Sequence, residues 1–205
     1  MGKKILIIAF LLFPAALMAQ SSESAIGGEA TMAAGVEFST FNPDWGCNSS
    51  SPFGCSNQLE GPAAVFDFDL HRKYGLEGEA RWLHWHGQGG MVESNYMGGP
   101  RYRLYRIQRL SIWGKLDLGG GWITTPNYPA AGSLKGSYFA YAPGATANYQ
   151  LTRVIGLRAD YEYQIWPSFA GPPTYDPTKG QVVQHVSGLT PNGFSFGVVY
   201  RFLGQ

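Results

Sequence analysis

The chain has 205 residues and a net charge of +1, and 14% of its residues are charged, against about 25% in an average soluble domain. So balanced a charge offers a nucleic-acid backbone nothing to hold. Beyond the N-terminus no run of about 18 apolar residues occurs, which leaves no transmembrane helix in the mature chain. Aromatic side chains make up 15% of the residues and 28 residues are Gly, which points to an all-β product.

Lys3 and Lys4 open the chain, an apolar run follows over residues 5–18, and Ala19 and Gln20 lead into a Ser-rich stretch. A basic start, a short apolar run and a small residue are the pattern of a secretory signal peptide, too short to span a membrane. Residues 1–20 are therefore expected to be removed after export through the Sec pathway. Residues 21–205 remain as one domain, without a division that the length would demand.

From Ala30 onward, side chains alternate with a period of two, the signature of strands. In the first segment Ala34, Val36 and Phe38 oppose Gly35, Glu37 and Ser39. The second opposes Ala64, Phe66, Phe68 and Leu70 to Asp67 and Asp69. Residues 76–86 set Leu76, Gly78, Ala80, Trp82, His84 and His86 against Glu77, Glu79, Arg81, Leu83 and Trp85. In residues 94–104, Tyr96, Gly98, Pro100 and Tyr102 oppose Asn95, Arg101 and Arg103. Residues 110–120 oppose Leu110, Ile112, Leu116 and Leu118 to Trp113, Lys115 and Asp117. Phe139, Tyr141, Ala145, Ala147 and Tyr149 then oppose Thr146, Asn148 and Gln150. Residues 156–166 oppose Leu157, Ala159, Tyr161 and Tyr163 to Arg158, Asp160, Glu162 and Gln164. The last segment, residues 192–202, opposes Phe194, Phe196, Val198, Tyr200 and Phe202 to Ser195, Gly197, Val199 and Arg201.

These segments number eight and run to roughly ten residues, the length of a tilted membrane strand. Connections alternate between short ones, at residues 71–75, 105–109 and 152–155, and long ones, at residues 42–62, 87–93, 124–137 and 167–191. Short turns on one side and long loops on the other describe a barrel with periplasmic turns and extracellular loops. The polar face carries the acids Glu37, Asp67, Asp69, Glu77, Glu79, Asp117, Asp160 and Glu162 and the bases Arg81, Arg101, Arg103, Lys115, Arg158 and Arg201. An eight-stranded bore holds little beyond its own side chains, and the aromatic face would overfill it. The apolar face is thus expected to meet lipid, and the charged face to form an ion-paired network in the lumen. The expected fold is an all-β, eight-stranded, antiparallel, up-and-down transmembrane β-barrel, its last strand closing against its first.

Chemistry finds little purchase. Asp67 and Asp69 could act as an acid–base or metal pair, but their place near the short-turn end favours ion pairs with arginine. His84 and His86 could hold a metal but lack a third ligand nearby, and their position suits an interfacial belt. A phosphate loop is missing from the sequence, and at His84-x-His86 a His stands where a lipid-A deacylase's His-x-Ser pair would place Ser. No catalytic, cofactor-binding or metal-binding residue is assigned. Cys47 and Cys55 share one Ser-, Asn- and Gly-rich loop, and in an exported chain they are expected to form a local disulfide.

With its aromatic last strand, notably Phe194, Phe196, Gly197, Tyr200 and Phe202, the sequence resembles the small outer-membrane β-barrels of Gram-negative bacteria, the OmpA/OmpX type. Residues 97–102 (Met-Gly-Gly-Pro-Arg-Tyr) and 156–161 (Gly-Leu-Arg-Ala-Asp-Tyr) look like strands of OmpA-like barrels of soil bacteria such as acidobacteria. The resemblance implies insertion into an outer membrane of phospholipid and lipopolysaccharide. It also implies that the barrel-assembly machinery reads the last strand. That signal usually ends on the aromatic residue, whereas here Leu203, Gly204 and Gln205 follow Phe202. The expected function is that of a non-enzymatic barrel with a largely plugged lumen. Its loops, carrying Trp45, Phe53, Phe169 and Tyr175, would serve binding of an extracellular surface ligand or envelope integrity. A lipid-A-modifying or protease-like barrel enzyme and a small-solute pore are the alternatives.

Overall fold

The computed structural model describes residues 30–44, 58–85, 91–124, 135–170, 174–176, 178, 180–183, 186 and 188–203. Eight strands form a closed antiparallel barrel: β1 (Thr31–Asn42), β2 (Leu59–Asp69), β3 (Tyr74–Trp85), β4 (Val92–Ile107), β5 (Leu110–Thr124), β6 (Lys135–Gln150), β7 (Ile155–Tyr163) and β10 (Asn192–Leu203). A separate hairpin pairs β8 (Thr174–Asp176) with β9 (Gln181–Val183).

Each barrel strand pairs with its neighbours in sequence, and β10 closes against β1 with Val36 opposite Val198 and Phe38 opposite Phe196. Closure gives every barrel strand a partner on each side, as backbone placed in lipid requires, although β6 pairs with β7 only from Gly144 to Gln150. A Cβ added at Gly197 would overlap the Val36 carbonyl oxygen, so this seam admits no side chain there.

The strands obey the alternation read from sequence. Val36, Phe38, Phe66, Leu116, Leu118, Phe194, Phe196 and Tyr200 are exposed, while Glu37, Asp67, Lys115, Asp117, Arg158 and Asp160 are buried. The burial is inverted relative to a soluble barrel: hydrocarbon lies outside and charge inside.

Three tight turns join the strands at one end, hereafter the turn end. Tyr74 and His71 bond each other's backbone between β2 and β3, Gln108 adopts a left-handed conformation (φ 46°) between β4 and β5, and the Thr152 hydroxyl accepts from Val154 and Ile155 between β6 and β7. The other, loop end is built differently from expectation. β2 begins at Leu59 instead of near residue 64, so Gly61 and Pro62, read as loop, are strand. Pro62 pairs with Phe38 on β1, and the ladder to β3 skips residues 61 and 62, which is where a strand tolerates a missing N–H.

Candidate functional site

Four cations organise the middle of the bore. Arg158, on β7, reaches three acids: its Nε lies 2.8 Å from Glu37 Oε1, Nη1 2.9 Å from Asp67 Oδ2, and Nη2 2.7 Å from Glu77 Oε1. Arg101, on β4, holds Asp67 and Asp69, each at 2.6 Å, and its guanidinium lies 4.4 Å from the Trp113 ring centroid. Lys115, on β5, stands among Glu77 (2.9 Å), Glu79 (3.3 Å), Asp117 (3.2 Å), Asp160 (3.1 Å) and Glu162 (3.3 Å). Arg81, on β3, pairs with Glu79 and with Glu162 at 3.1 Å, and donates to the Ser39 hydroxyl.

Neutral hydroxyls complete the set. Thr146 on β6 donates to Asp160 at 2.7 Å, and Ser39 and Ser195 bond each other at 2.7 Å across the closing seam. All eight barrel strands thus place a polar side chain in one connected cluster. Strand parity puts them inward, and each cation is shared among several carboxylates, which partly offsets the cost of burying these charges.

Two bases stand apart from this cluster. Arg103 and Arg201 point inward as their parity requires, but both are half-buried and line a cavity at the turn end. Instead of eight acids against six bases, the network holds eight acids on four bases, Arg81, Arg101, Lys115 and Arg158. Glu93, which the alternation did not single out, is also fully buried and accepts from Asn95 Nδ2 at 3.0 Å.

Toward the loop end the bore turns apolar. Phe41, Leu59, Leu83, Trp85, Met97, Ile123 and Trp166 pack into one buried cluster, joined by Phe169 and Leu189 from the last long connection. That connection folds back on itself: Trp166 and Leu189 exchange backbone hydrogen bonds (2.8 and 3.2 Å), and Gly188 donates to Phe169. Trp166 lies over Gly121, where an added Cβ would overlap the indole. A chain of hydrogen bonds ties cap to ion network, from Trp166 Nε1 to Gln164 (2.9 Å) and from Gln164 Nε2 to Glu162 (3.1 Å).

Outside, aromatics gather toward both strand ends. Near the loop end Tyr96 meets Trp82 and Trp122 edge-on, at 6.0 and 5.3 Å, and accepts from the Trp82 indole at 2.9 Å. Near the turn end Tyr74 and Tyr102 lie 5.1 Å apart. Two aromatic belts with aliphatic side chains between them suit the two interfaces of a bilayer. His84 is exposed on this outer face, while His86, Cys47 and Cys55 lie outside the described residues.

No protein-family model matches the sequence, and neither does any curated protein. Solved structures do. The attachment invasion locus protein Ail of Yersinia pestis superposes with a TM-score of 0.52 at 16% identity, covering 85% of this chain and 99% of Ail. Neisserial surface protein A gives 0.57 at 10% identity, covering 84% and 97%. The outer-membrane protein OprG of Pseudomonas aeruginosa gives 0.57 at 12% identity, covering 87% and 99%. The fold is that of the small outer-membrane β-barrels. At these identities the likeness extends to architecture, and function has to be argued from the chain's own side chains.

Proposed function

We propose that this chain is a non-enzymatic outer-membrane barrel with a sealed bore, which serves as a rigid platform for binding at its extracellular loop end. The observation that supports this most is the filling of the bore. An ion-paired layer fed by all eight barrel strands lies beneath an apolar cap of Leu83, Met97, Ile123 and Trp166. Such a barrel spends its interior on holding its own shape, and leaves function to the loops.

Ail also has a structure in complex with the heparin analogue sucrose octasulfate. A polyanion is a poor fit to the loop end here, where Lys135 is the only Lys or Arg among the described residues. Aromatic and apolar contacts, from residues such as Trp45, Phe53 and Tyr175, suit a partner on a neighbouring cell or matrix better. The same reading includes Sec export with removal of residues 1–20, a Cys47–Cys55 disulfide, and recognition of Phe194, Phe196, Gly197, Tyr200 and Phe202 by the assembly machinery.

Planar-bilayer recording on the refolded chain tests the sealed bore. The expected record is free of stable ohmic steps, and a persistent, large conductance would favour the small-solute pore instead. Whole-cell binding assays with residues 45–57 deleted test the platform, with loss of adhesion expected and unchanged adhesion contradicting it. Mass spectrometry of lipopolysaccharide from cells expressing the chain tests for the enzyme, with an unchanged lipid A profile expected.

A further inference from the structure

At the turn end the charge pattern reverses. Arg72, Arg103, Arg106, Arg109, Arg153 and Arg201 line one cavity of about 520 Å³ at the mouth of the bore. This volume lies within the range of roughly 300–1,000 Å³ common to small-ligand sites. The only acids on its wall are Asp67 and Asp69. Both are already engaged, Asp67 by Arg101 and Arg158, Asp69 by Arg101 and by the Thr31 hydroxyl.

Arg103 shows what the arrangement lacks. Its guanidinium carbon lies over Trp113, 4.4 Å from the ring centroid, and its Nε is buried without a hydrogen-bond partner. The contact holds the guanidinium against the Trp113 ring, and among the described residues no acid pairs with it. Among the described residues, Arg103, Arg106, Arg153 and Arg201 make no ion pair with any acid. They come from β4, the β4 end, the β6–β7 turn and β10, so four separate backbone positions converge on one space. Clustered arginines repel one another, and a concave wall of one sign concentrates counter-ions. Several planar donor forks on a wall also match an oxyanion with three or more acceptor oxygens better than a single carboxylate.

We propose that this vestibule is a binding site for a phosphate-bearing anion, held by Arg103 and Arg201 inside the mouth and by Arg106 and Arg153 at its rim. Two carriers present that chemistry, a soluble phosphorylated molecule and the headgroup of an anionic phospholipid in the adjoining leaflet. The site does not depend on the loops, nor on whether the bore conducts.

Calorimetric titration of the refolded full chain in dodecyl maltoside at low salt tests it. The probes are sodium pyrophosphate and, below its micelle concentration, dihexanoylphosphatidylglycerol, with dihexanoylphosphatidylcholine as the zwitterionic control. At least one of the first two should bind saturably, and weaken steeply as salt is raised. The Arg103→Gln/Arg201→Gln double variant should bind at least tenfold more weakly while keeping the folded gel mobility. Arg103→Lys/Arg201→Lys should fall between them, and Lys135→Gln, at the opposite end, should match the parent. Tighter binding of pyrophosphate identifies a soluble ligand, and tighter binding of the glycerol lipid identifies a headgroup. Absence of saturable binding by both probes, or equal affinity in the folded Gln double variant, would overturn the proposal.

Discussion

Replacing Arg158 with Met should be among the most damaging single changes in the barrel. The side chain is fully buried, and its guanidinium holds Glu37, Asp67 and Glu77 at 2.7–2.9 Å. Met keeps much of the length and volume, so packing loss is small beside the electrostatic effect. Asp67 retains Arg101, and Glu77 retains Lys115 at 2.9 Å, but Glu37 has no other ion pair among the described residues. Removing one partner of a buried ion pair typically costs about 3–5 kcal/mol, because the other charge stays behind unpaired. The expected loss therefore lies in that range, about two to four powers of ten in the folding equilibrium. Urea titration in lipid vesicles, read by tryptophan fluorescence and by unboiled gel mobility, measures it. The Arg158→Met/Glu37→Gln double variant should recover roughly 1–3 kcal/mol of the loss, the coupling expected of residues in contact. A loss below about 1 kcal/mol for Arg158→Met, or no recovery in the double variant, would refute the claim that Arg158 offsets the buried charge of Glu37.

Arg201→Met is the natural contrast. That side chain is half-buried and makes no ion pair among the described residues, so its loss should stay below about 1 kcal/mol by the same titration. Leu83→Ala, in the apolar cap, should cost about 2–5 kcal/mol. Gly121→Ala would drive a Cβ into Trp166 and should cost about 1–3 kcal/mol, with a red-shifted tryptophan emission as the indole is displaced. Phe196→Arg, on the outer face, should cost about 2–4 kcal/mol in vesicles if the residue lies near the bilayer midplane. An unchanged midpoint would mean that this face does not meet hydrocarbon.

Strand parity was legible because it is a local property. The alternation Phe194, Phe196, Val198, Tyr200 against Ser195, Gly197, Val199, Arg201 needs no knowledge of any other strand. Closure of β10 on β1 followed from the even count. Depth was harder to read. Arg103 and Arg158 have the same parity and the same chemistry, yet one sits at the mouth and the other in the middle. Their heights depend on strand tilt and on the stagger between neighbours, which no single segment records. The apolar cap escaped for a different reason. Around Trp82, Leu83, His84 and Trp85, and again at Trp122 and Ile123, both faces are apolar or aromatic, so the contrast that marks inside from outside disappears. Their parity alone carried the signal: Leu83, Trp85 and Ile123 share the inward phase of Arg81 and Asp117. Glu93 lay one residue before the segment read as strand, and so was not assigned a face.

The most direct measurement is the gel mobility of the chain in fractionated cells, with and without boiling in detergent. A sealed eight-stranded barrel in the outer membrane predicts recovery in the outer-membrane fraction and a shift between unboiled and boiled samples, because the closed sheet resists detergent until heated. Recovery as a soluble periplasmic product whose mobility does not change on boiling would contradict it.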